Sequence, residues 1–295
     1  VTAARRRAAV LGHPIGHSRS PALHAAAYAV LGEDIEYGAF DLVPEQLGDF
    51  VARVRSERGW CGLSVTMPLK SSFVHYVDAL SGHALTLGAL NTVTFEHAGP
   101  SPDLRLVGHN TDVAGIVEAF RHAGVVRAHR PVVVGSGNTA LAAVAAIADL
   151  GADSVLFLVR SPERTGEAVD LAARLGLAVR IEGIDGGAAA LRAADVVVST
   201  LPPRAADTLA GELSARGVGT DDGVQGVLLD VAYDPWPTQL GLAWEARGGS
   251  VLHGLEMLVY QAVEQIVLFT GRQDARQLDV IDVMCNSVGL PQRTR

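Results

Sequence analysis

Pro131-Val132-Val133-Val134-Gly135-Ser136-Gly137-Asn138-Thr139-Ala140 decides the fold of the second half of the chain. An apolar run with no polar alternation reads as a strand covered on both faces. G-x-G-x-x-A follows and opens an alanine-rich helix that runs through Leu150. Strand, loop and helix in this order form the fingerprint of a dinucleotide-binding unit. Gly135 permits the tight turn, Gly137 leaves room for a pyrophosphate against the backbone, and small Ala140 lets helix and strand pack closely. Ser136, Asn138 and Thr139 complete the loop, and the helix amides and dipole favour the phosphates.

The next strand, Ser154 to Val159, ends where such folds choose their cofactor. An acid there would accept from the ribose hydroxyl of NAD. This chain has Arg160-Ser161-Pro162-Glu163-Arg164 instead. A guanidinium and a hydroxyl suit a 2′-phosphate, so NADP is favoured over NAD. Glu163 falls in a first helical turn, where an acid also serves the helix dipole. Further strands are read at Ala178–Ile181, Asp195–Ser199, Gly226–Val231 and Ser250–Leu252, spaced by helices, which predicts a parallel doubly wound sheet. After Gly254 two helices are predicted, to Thr270 and from Ala275 to Ser287.

Upstream the pattern is also α/β. Ala8–Leu11 is a short strand ending in a Gly12-His13-Pro14 turn. Ser20 reads as the cap of a helix from Pro21 to the Gly32 stop. Tyr37–Leu42 and Gly62–Thr66 read as strands flanking a helix over Pro44–Glu57. Asn91–Glu96 and Leu104–Val107, separated by Gly99-Pro100-Ser101-Pro102, read as a hairpin at the edge of a mixed sheet. A helix over Asp112–His122 leads out. The expected layout is α/β with two domains. Residues 1–112 form a substrate domain, residues 113–253 a Rossmann-type dinucleotide domain, and residues 254–295 helices returning to the first.

The 295 residues are long enough for two cores, and 48% hydrophobic against 19% charged excludes a disordered chain. A net charge of −8 argues against a nucleic-acid binder. No apolar run is long enough to span a bilayer. Cys61 and Cys285 fit neither a disulfide scaffold nor a zinc site, and His13 and His17 lie in a turn around Pro14, so no metal is expected. The short N-terminal segment reads as too short for a signal peptide, so none is expected. The expectation is a soluble protein of a reducing, cytoplasmic compartment, working as a monomer or homodimer.

Lys70 is the only lysine among 24 basic residues, the others being arginine. An ammonium, unlike a guanidinium, can release its proton near neutral pH when its surroundings help. Lys70 sits in one of several polar clusters at predicted strand ends: His17-Ser18-Arg19-Ser20, Thr66-Met67-Pro68-Leu69-Lys70, Asn91-Thr92 and Asn110-Thr111-Asp112. Taken singly, Ser18, Ser20 and Asp112 could be helix caps, Asn91 a turn residue and Tyr233 a packed aromatic. Gln261 on an otherwise apolar helical face is harder to explain that way, since a buried amide needs partners.

Together these segments are familiar. Gly12-His13-Pro14-Ile15-Gly16-His17-Ser18-Arg19-Ser20-Pro21-Ala22-Leu23-His24 resembles the opening motif of the shikimate dehydrogenases. So do Val65 to Lys70, Gly88-Ala89-Leu90-Asn91-Thr92, Asn110-Thr111-Asp112, Asp230 to Thr238 and Gly254 to Ala262, in the same order. The resemblance implies hydride transfer between NADP(H) and C3 of shikimate, giving 3-dehydroshikimate, within the biosynthesis of chorismate and the aromatic amino acids. It implies a substrate cleft between two domains. Ser18, Ser20 and Tyr233 would hold the substrate carboxylate, and Thr66, Asn91 and Gln261 its ring hydroxyls. Lys70 and Asp112 would flank the reacting hydroxyl. Arg160, Ser161 and Arg164 would take the 2′-phosphate. Thr200 and Leu201 would cover the adenosine and ribose, and Val231 and Gly254 would border the nicotinamide.

This chain departs from the family's usual Gly-Ala-Gly-Gly-Ala loop, and Val159 replaces an Asn before Arg160. Ala25 replaces the Asn that commonly follows the motif's His. The alternatives are a quinate/shikimate dehydrogenase using NAD, a folate-interconverting dehydrogenase of similar layout, and a non-catalytic dinucleotide-sensing member of the family. The paired serines oppose the folate reading. The joint presence of Lys70, Asp112, Asn91 and Gln261 opposes the sensor.

Overall fold

The computed structural model describes residues 6–97, 104–215 and 223–293. They fall into two compact units. One comprises residues through Gly115 together with those from Leu258 onward, the other Ile116–Met257. Among the described residues no helix is long and apolar enough to cross a membrane.

The first unit contains β1 (Arg6–Gly12), α1 (Ser20–Leu31), β2 (Ile35–Asp41), α2 (Leu47–Ser56), β3 (Trp60–Val65), β4 (Ala79–Leu80), α3 (His83–Leu87), β5 (Thr92–His97) and β6 (Leu104–His109). The sheet order is β2-β1-β3-β5-β6-β4, with β1, β2 and β3 parallel and β5 antiparallel to both neighbours. The mixed sheet is as expected, but the hairpin is not its edge. The short β4 runs parallel to β6 and closes that side; two residues carry no periodicity from which to find it. The Gly99–Pro102 turn lies outside the described residues. A core of Leu11, Leu47, Phe50, Leu63, Phe73 and Leu106 joins α2 to one sheet face.

Helix α1 starts differently from its sequence reading. Arg19 occupies the N-cap position without a side-chain hydrogen bond, and Ser20 is already helical. The Ser18 hydroxyl accepts the Ser20 N–H at 3.3 Å instead. Gly32 ends the helix in the left-handed conformation, φ 67°, as the sequence predicts.

Helix α4 (Asp112–His122) carries the chain into the second unit. There lie β7 (Pro131–Val134), α5 (Asn138–Asp149), β8 (Ser154–Val159), α6 (Gly166–Arg174), β9 (Ala178–Gly183), α7 (Ala188–Ala193), β10 (Val196–Ser199), α8 (Asp207–Ser214), β11 (Val227–Asp230), α9 (Gln239–Glu245) and β12 (Ser250–His253). All six strands are parallel, in the order β12-β11-β10-β7-β8-β9. This is the doubly wound topology, with its direction reversing between β7 and β10. Both strands are wholly buried, which explains their unbroken valines. Helix α10 (Gly254–Thr270) leads back to the first unit, where α11 (Leu278–Ser287) packs on α1.

Candidate active site

In the first unit the polar clusters assemble where β1, β3 and β6 end and the antiparallel β5 begins. The loop after β1 and the turn after β3 are stitched together, Thr66 N–H donating to Leu11 at 2.8 Å and His13 N–H to Met67 at 3.0 Å. Gly12 allows this approach: a Cβ there would stand 2.4 Å from Thr66 Cγ2. Within the turn, Leu69 is fully buried and anchors Lys70, whose carbonyl accepts the Leu90 N–H at 3.1 Å. The lysine is therefore tied by backbone to the loop that delivers Asn91.

Lys70 Nζ donates to Asp112 Oδ2 at 2.5 Å, with the two side chains 16% and 8% exposed. Asp112 is the first residue of α4, where the helix dipole favours a carboxylate. Its own carboxylate does no capping. Asn110 Oδ1 accepts the Asp112 N–H at 3.1 Å, which leaves both carboxylate oxygens for other partners. The second of them accepts from Asn91 Nδ2 at 2.8 Å.

Asn91 is the junction. Its Nδ2 also lies 3.0 Å from Thr111 Oγ1 and 3.0 Å from Gln261 Oε1, so three acceptors share two hydrogens. Its Oδ1 accepts the Thr111 N–H at 2.8 Å and the Thr92 hydroxyl at 2.7 Å. Asn91, Thr111, Asp112 and Gln261 are all buried. One cation, one carboxylate and a ring of neutral donors and acceptors are thus gathered in one hydrogen-bonded group. Ser18 stands on the loop after β1, and Ser20 opens α1. Ser20 is buried within reach of the Tyr37 phenol, while Ser18 is half-buried. Thr66 is half-buried at the end of β3.

The second unit holds the other predicted residues. Gly135 has φ 110°, and a Cβ there would stand 2.5 Å from Thr200 Oγ1, so no other residue fits this turn. Thr200 is fixed by two bonds to the Val134 carbonyl, from its N–H and its hydroxyl, both 2.9 Å. Thr200 and Leu201 thereby follow β10 beside the glycine loop, at the point where the strand order reverses. Gly137 is the N-cap of α5 and makes no side-chain capping bond. A Cβ on Gly137 would meet nothing within 4 Å. The space beside Gly137 is therefore open at the start of α5, and a helix N-terminus there suits an anionic phosphate. Asn138 is the first helical residue, so the altered loop leaves the turn of helix intact.

After β8, Arg160 and Arg164 are exposed and Ser161 half-buried, and neither arginine has an ion-pair partner among the described residues. Val159 points into the core. These residues fit a phosphorylated ribose better than a free ribose diol. Val231 and Gly254, from distant parts of the sequence, are packed together; a Cβ on Gly254 would stand 2.3 Å from the Val231 carbonyl. Tyr233 follows β11 and is half-buried. Among the described residues no group of His, Cys, Asp or Glu could hold a metal.

Comparison with known proteins gives the same grouping of residues a family. The model of the shikimate dehydrogenase substrate binding domain matches residues 10–93, and that of the shikimate 5′-dehydrogenase C-terminal domain matches residues 254–276. The shikimate dehydrogenase (NADP(+)) of Halobacterium salinarum is 38% identical over 267 residues, spanning 89% of this chain and 92% of that protein. The chain belongs to the shikimate dehydrogenase family.

Solved members of the family share the whole architecture. The crystal structure of Mycobacterium tuberculosis shikimate dehydrogenase superposes with a TM-score of 0.80 at 36% identity, covering 96% of this chain and 98% of the other. That of the Thermus thermophilus enzyme in complex with NADP(H) and shikimate gives 0.75 at 30% identity, covering 96% and 99%. Sequence reading overlooked one buried group beside the site of this family member, the Gln265 side chain with its partners Ser64, Thr92 and His24. A signal was available. Gln265 lies four residues after Gln261, on the same face of α10.

Proposed function

We propose that this protein is an NADP-dependent shikimate dehydrogenase that interconverts shikimate and 3-dehydroshikimate in the route to chorismate and the aromatic amino acids. The observation that carries the reading is the Lys70–Asp112 pair held by Asn91. Oxidation of a secondary alcohol removes a hydride and a proton, and a buried ammonium–carboxylate pair is a place for that proton. NADP, when bound, supplies the hydride acceptor or donor. Lys70 and Asp112 take up the hydroxyl proton in one direction and return it in the other. Asn91, Gln261 and Thr66 orient the ring hydroxyls. The hydroxyls of Ser18 and Ser20, with Tyr233, take the carboxylate. Gly135, Ser136, Gly137, Asn138 and Thr139 cradle the pyrophosphate, and Arg160, Ser161 and Arg164 grip the 2′-phosphate. Thr200, Leu201, Val231 and Gly254 line the remainder of the cofactor.

Residues 1–112 are assigned the substrate role and residues 113–253 the cofactor role, with residues 254–295 supporting the former. The enzyme is cytoplasmic and acts as a monomer or homodimer. Initial rates of nicotinamide reduction with shikimate or quinate, each with NADP or NAD, test the reading. Turnover is expected with shikimate and NADP. Faster turnover with quinate and NAD would replace it with the quinate/shikimate alternative, and no turnover in any combination would sink it.

A further inference from the structure

Gln265 is 1% exposed, too buried to touch a ligand, yet it is polar and fully bonded. Its carbonyl oxygen accepts from the Ser64 hydroxyl at 2.7 Å and from His24 Nε2 at 3.3 Å. Its amide nitrogen donates to the Asn91 backbone carbonyl at 3.1 Å and to Thr92 Oγ1 at 2.9 Å. Both acceptor positions and both hydrogens are used. A leucine would fill the same space, so packing alone does not call for an amide here.

The direction of every bond in this cluster follows from two backbone groups that cannot reverse. The Asn91 carbonyl can only accept, so the Gln265 atom facing it is nitrogen. The Thr111 N–H can only donate, so the Asn91 atom facing it is Oδ1. With Gln265 nitrogen facing Thr92 Oγ1, the hydroxyl hydrogen of Thr92 is left for Asn91 Oδ1, 2.7 Å away. Asn91 then has its NH₂ turned toward Asp112 and Gln261. On the far side the same logic holds. Burial pushes the His24 imidazole down to about 3, so it is neutral. Its one ring hydrogen sits on Nε2 facing Gln265, and Nδ1 accepts from Tyr28 at 3.0 Å. Ser64, donating to Gln265, accepts from Tyr37 at 2.6 Å.

We infer that Gln265 is a positioning residue of the active site: through Thr92 and the Asn91 backbone, and together with the Thr111 N–H, it holds the Asn91 amide in the orientation that presents NH₂ to Asp112. It acts on substrate only through Asn91. The inference rests on the dehydrogenase reading above.

Gln265→Met keeps the length of the side chain and removes all four bonds. It is expected to lower kcat/KM for shikimate by about tenfold or more, as a loss of orientation does, while KM for NADP stays within about twofold. In an Asn91→Ala background the same change should cost less than about twofold, because the group it positions is gone. A folded Gln265→Met protein with wild-type kcat/KM overturns the inference, and so does an equal loss in both backgrounds. If Gln265→Met does not fold, Thr92→Val cuts the relay at the hydroxyl that joins Gln265 to Asn91 Oδ1, leaving the other three Gln265 bonds in place. It should cost about threefold or more, and an unchanged rate overturns the inference. Inactivity of the wild-type chain on shikimate would sink the dehydrogenase reading instead. Position is then read without turnover, by NMR of the Asn91 side-chain amide. Its protons should exchange slowly in wild type and faster in Gln265→Met or Thr92→Val; equal exchange overturns the inference.

Discussion

The proposed proton site of the first unit and the proposed phosphate loop of the second are built on opposite principles. Around Lys70 and Asp112 the buried side chains bond to one another: Asn91, Thr92, Thr111, Gln261 and Gln265 form one connected network. Around Gly137 and Arg160 the groups are open: α5 starts without a side-chain cap, and Arg160 and Arg164 are exposed with no ion-pair partner among the described residues. A site for moving a proton must hold its geometry before substrate arrives, because reorganisation adds to the barrier. A site for binding an anion works with donors left open for the ligand. Changes in the first region should therefore appear in kcat, and changes in the second in cofactor affinity.

The largest effect is expected at Lys70. Lys70→Ala should lower kcat by about 10²–10⁴, the usual worth of general acid–base help, with a much smaller change in shikimate affinity. Lys70→Arg keeps the charge but not the exchangeable proton, and steady-state rates should find it nearly as inactive. Near-normal kcat in the arginine variant would make Lys70 an electrostatic anchor and erase the contrast between the regions.

Arg160→Asp tests the other side. Loss of a charge-assisted contact is worth about 1.5–3 kcal/mol, so the NADP/NAD ratio of kcat/KM should fall by roughly tenfold or more. An unchanged ratio would mean that the arginine is only solvated surface.

Gly135→Ala should be costlier to stability than its single methyl suggests, about 1–3 kcal/mol by denaturant unfolding, since φ is 110° and Thr200 Oγ1 blocks the Cβ. NADP binding should weaken in calorimetry, while shikimate binding by the first unit holds. A loss of shikimate binding of equal size would show that the two regions are not separable in this way.

The last effect is one of pH and leaves activity at neutral pH untouched. His24, with its imidazole pushed down to about 3 by burial, binds no proton in the folded chain where the unfolded chain does. Stability should be fully present above about pH 6.5 and fall toward about pH 3, by about 1.4 kcal/mol per pH unit from this residue. Urea unfolding of His24→Gln between pH 7 and pH 4 should show a shallower decline. An identical slope would place the acid sensitivity elsewhere, His253 being the next candidate, with its imidazole lowered to about 4 by burial.

Legibility differed between the regions for the same reason that their chemistry does. The phosphate loop is local: Gly135, Gly137 and Ala140 lie within one turn, and their spacing alone states the backbone they need. The proton site is assembled from residues far apart in sequence, Lys70, Asn91, Asp112 and Gln261, each open to a local explanation as cap, turn or packing. Only their agreement with a family pattern joined them. Ser20 was readable as a cap because its neighbours are right for one, and the structure gives that bond to Ser18.

What the sequence determined by itself is whatever short-range sterics and periodicity dictate: the unbroken valine strands, the glycine turn, the stop at Gly32, and an arginine where an acid would select NAD. The tertiary structure alone decided which atoms meet. It placed β4 at the sheet edge, left the Asp112 carboxylate free of its capping role, and seated Gln265 beneath Asn91. Such bonds join residues whose separation along the chain carries no pattern. Their direction is set by backbone groups that only the folded sheet brings into range.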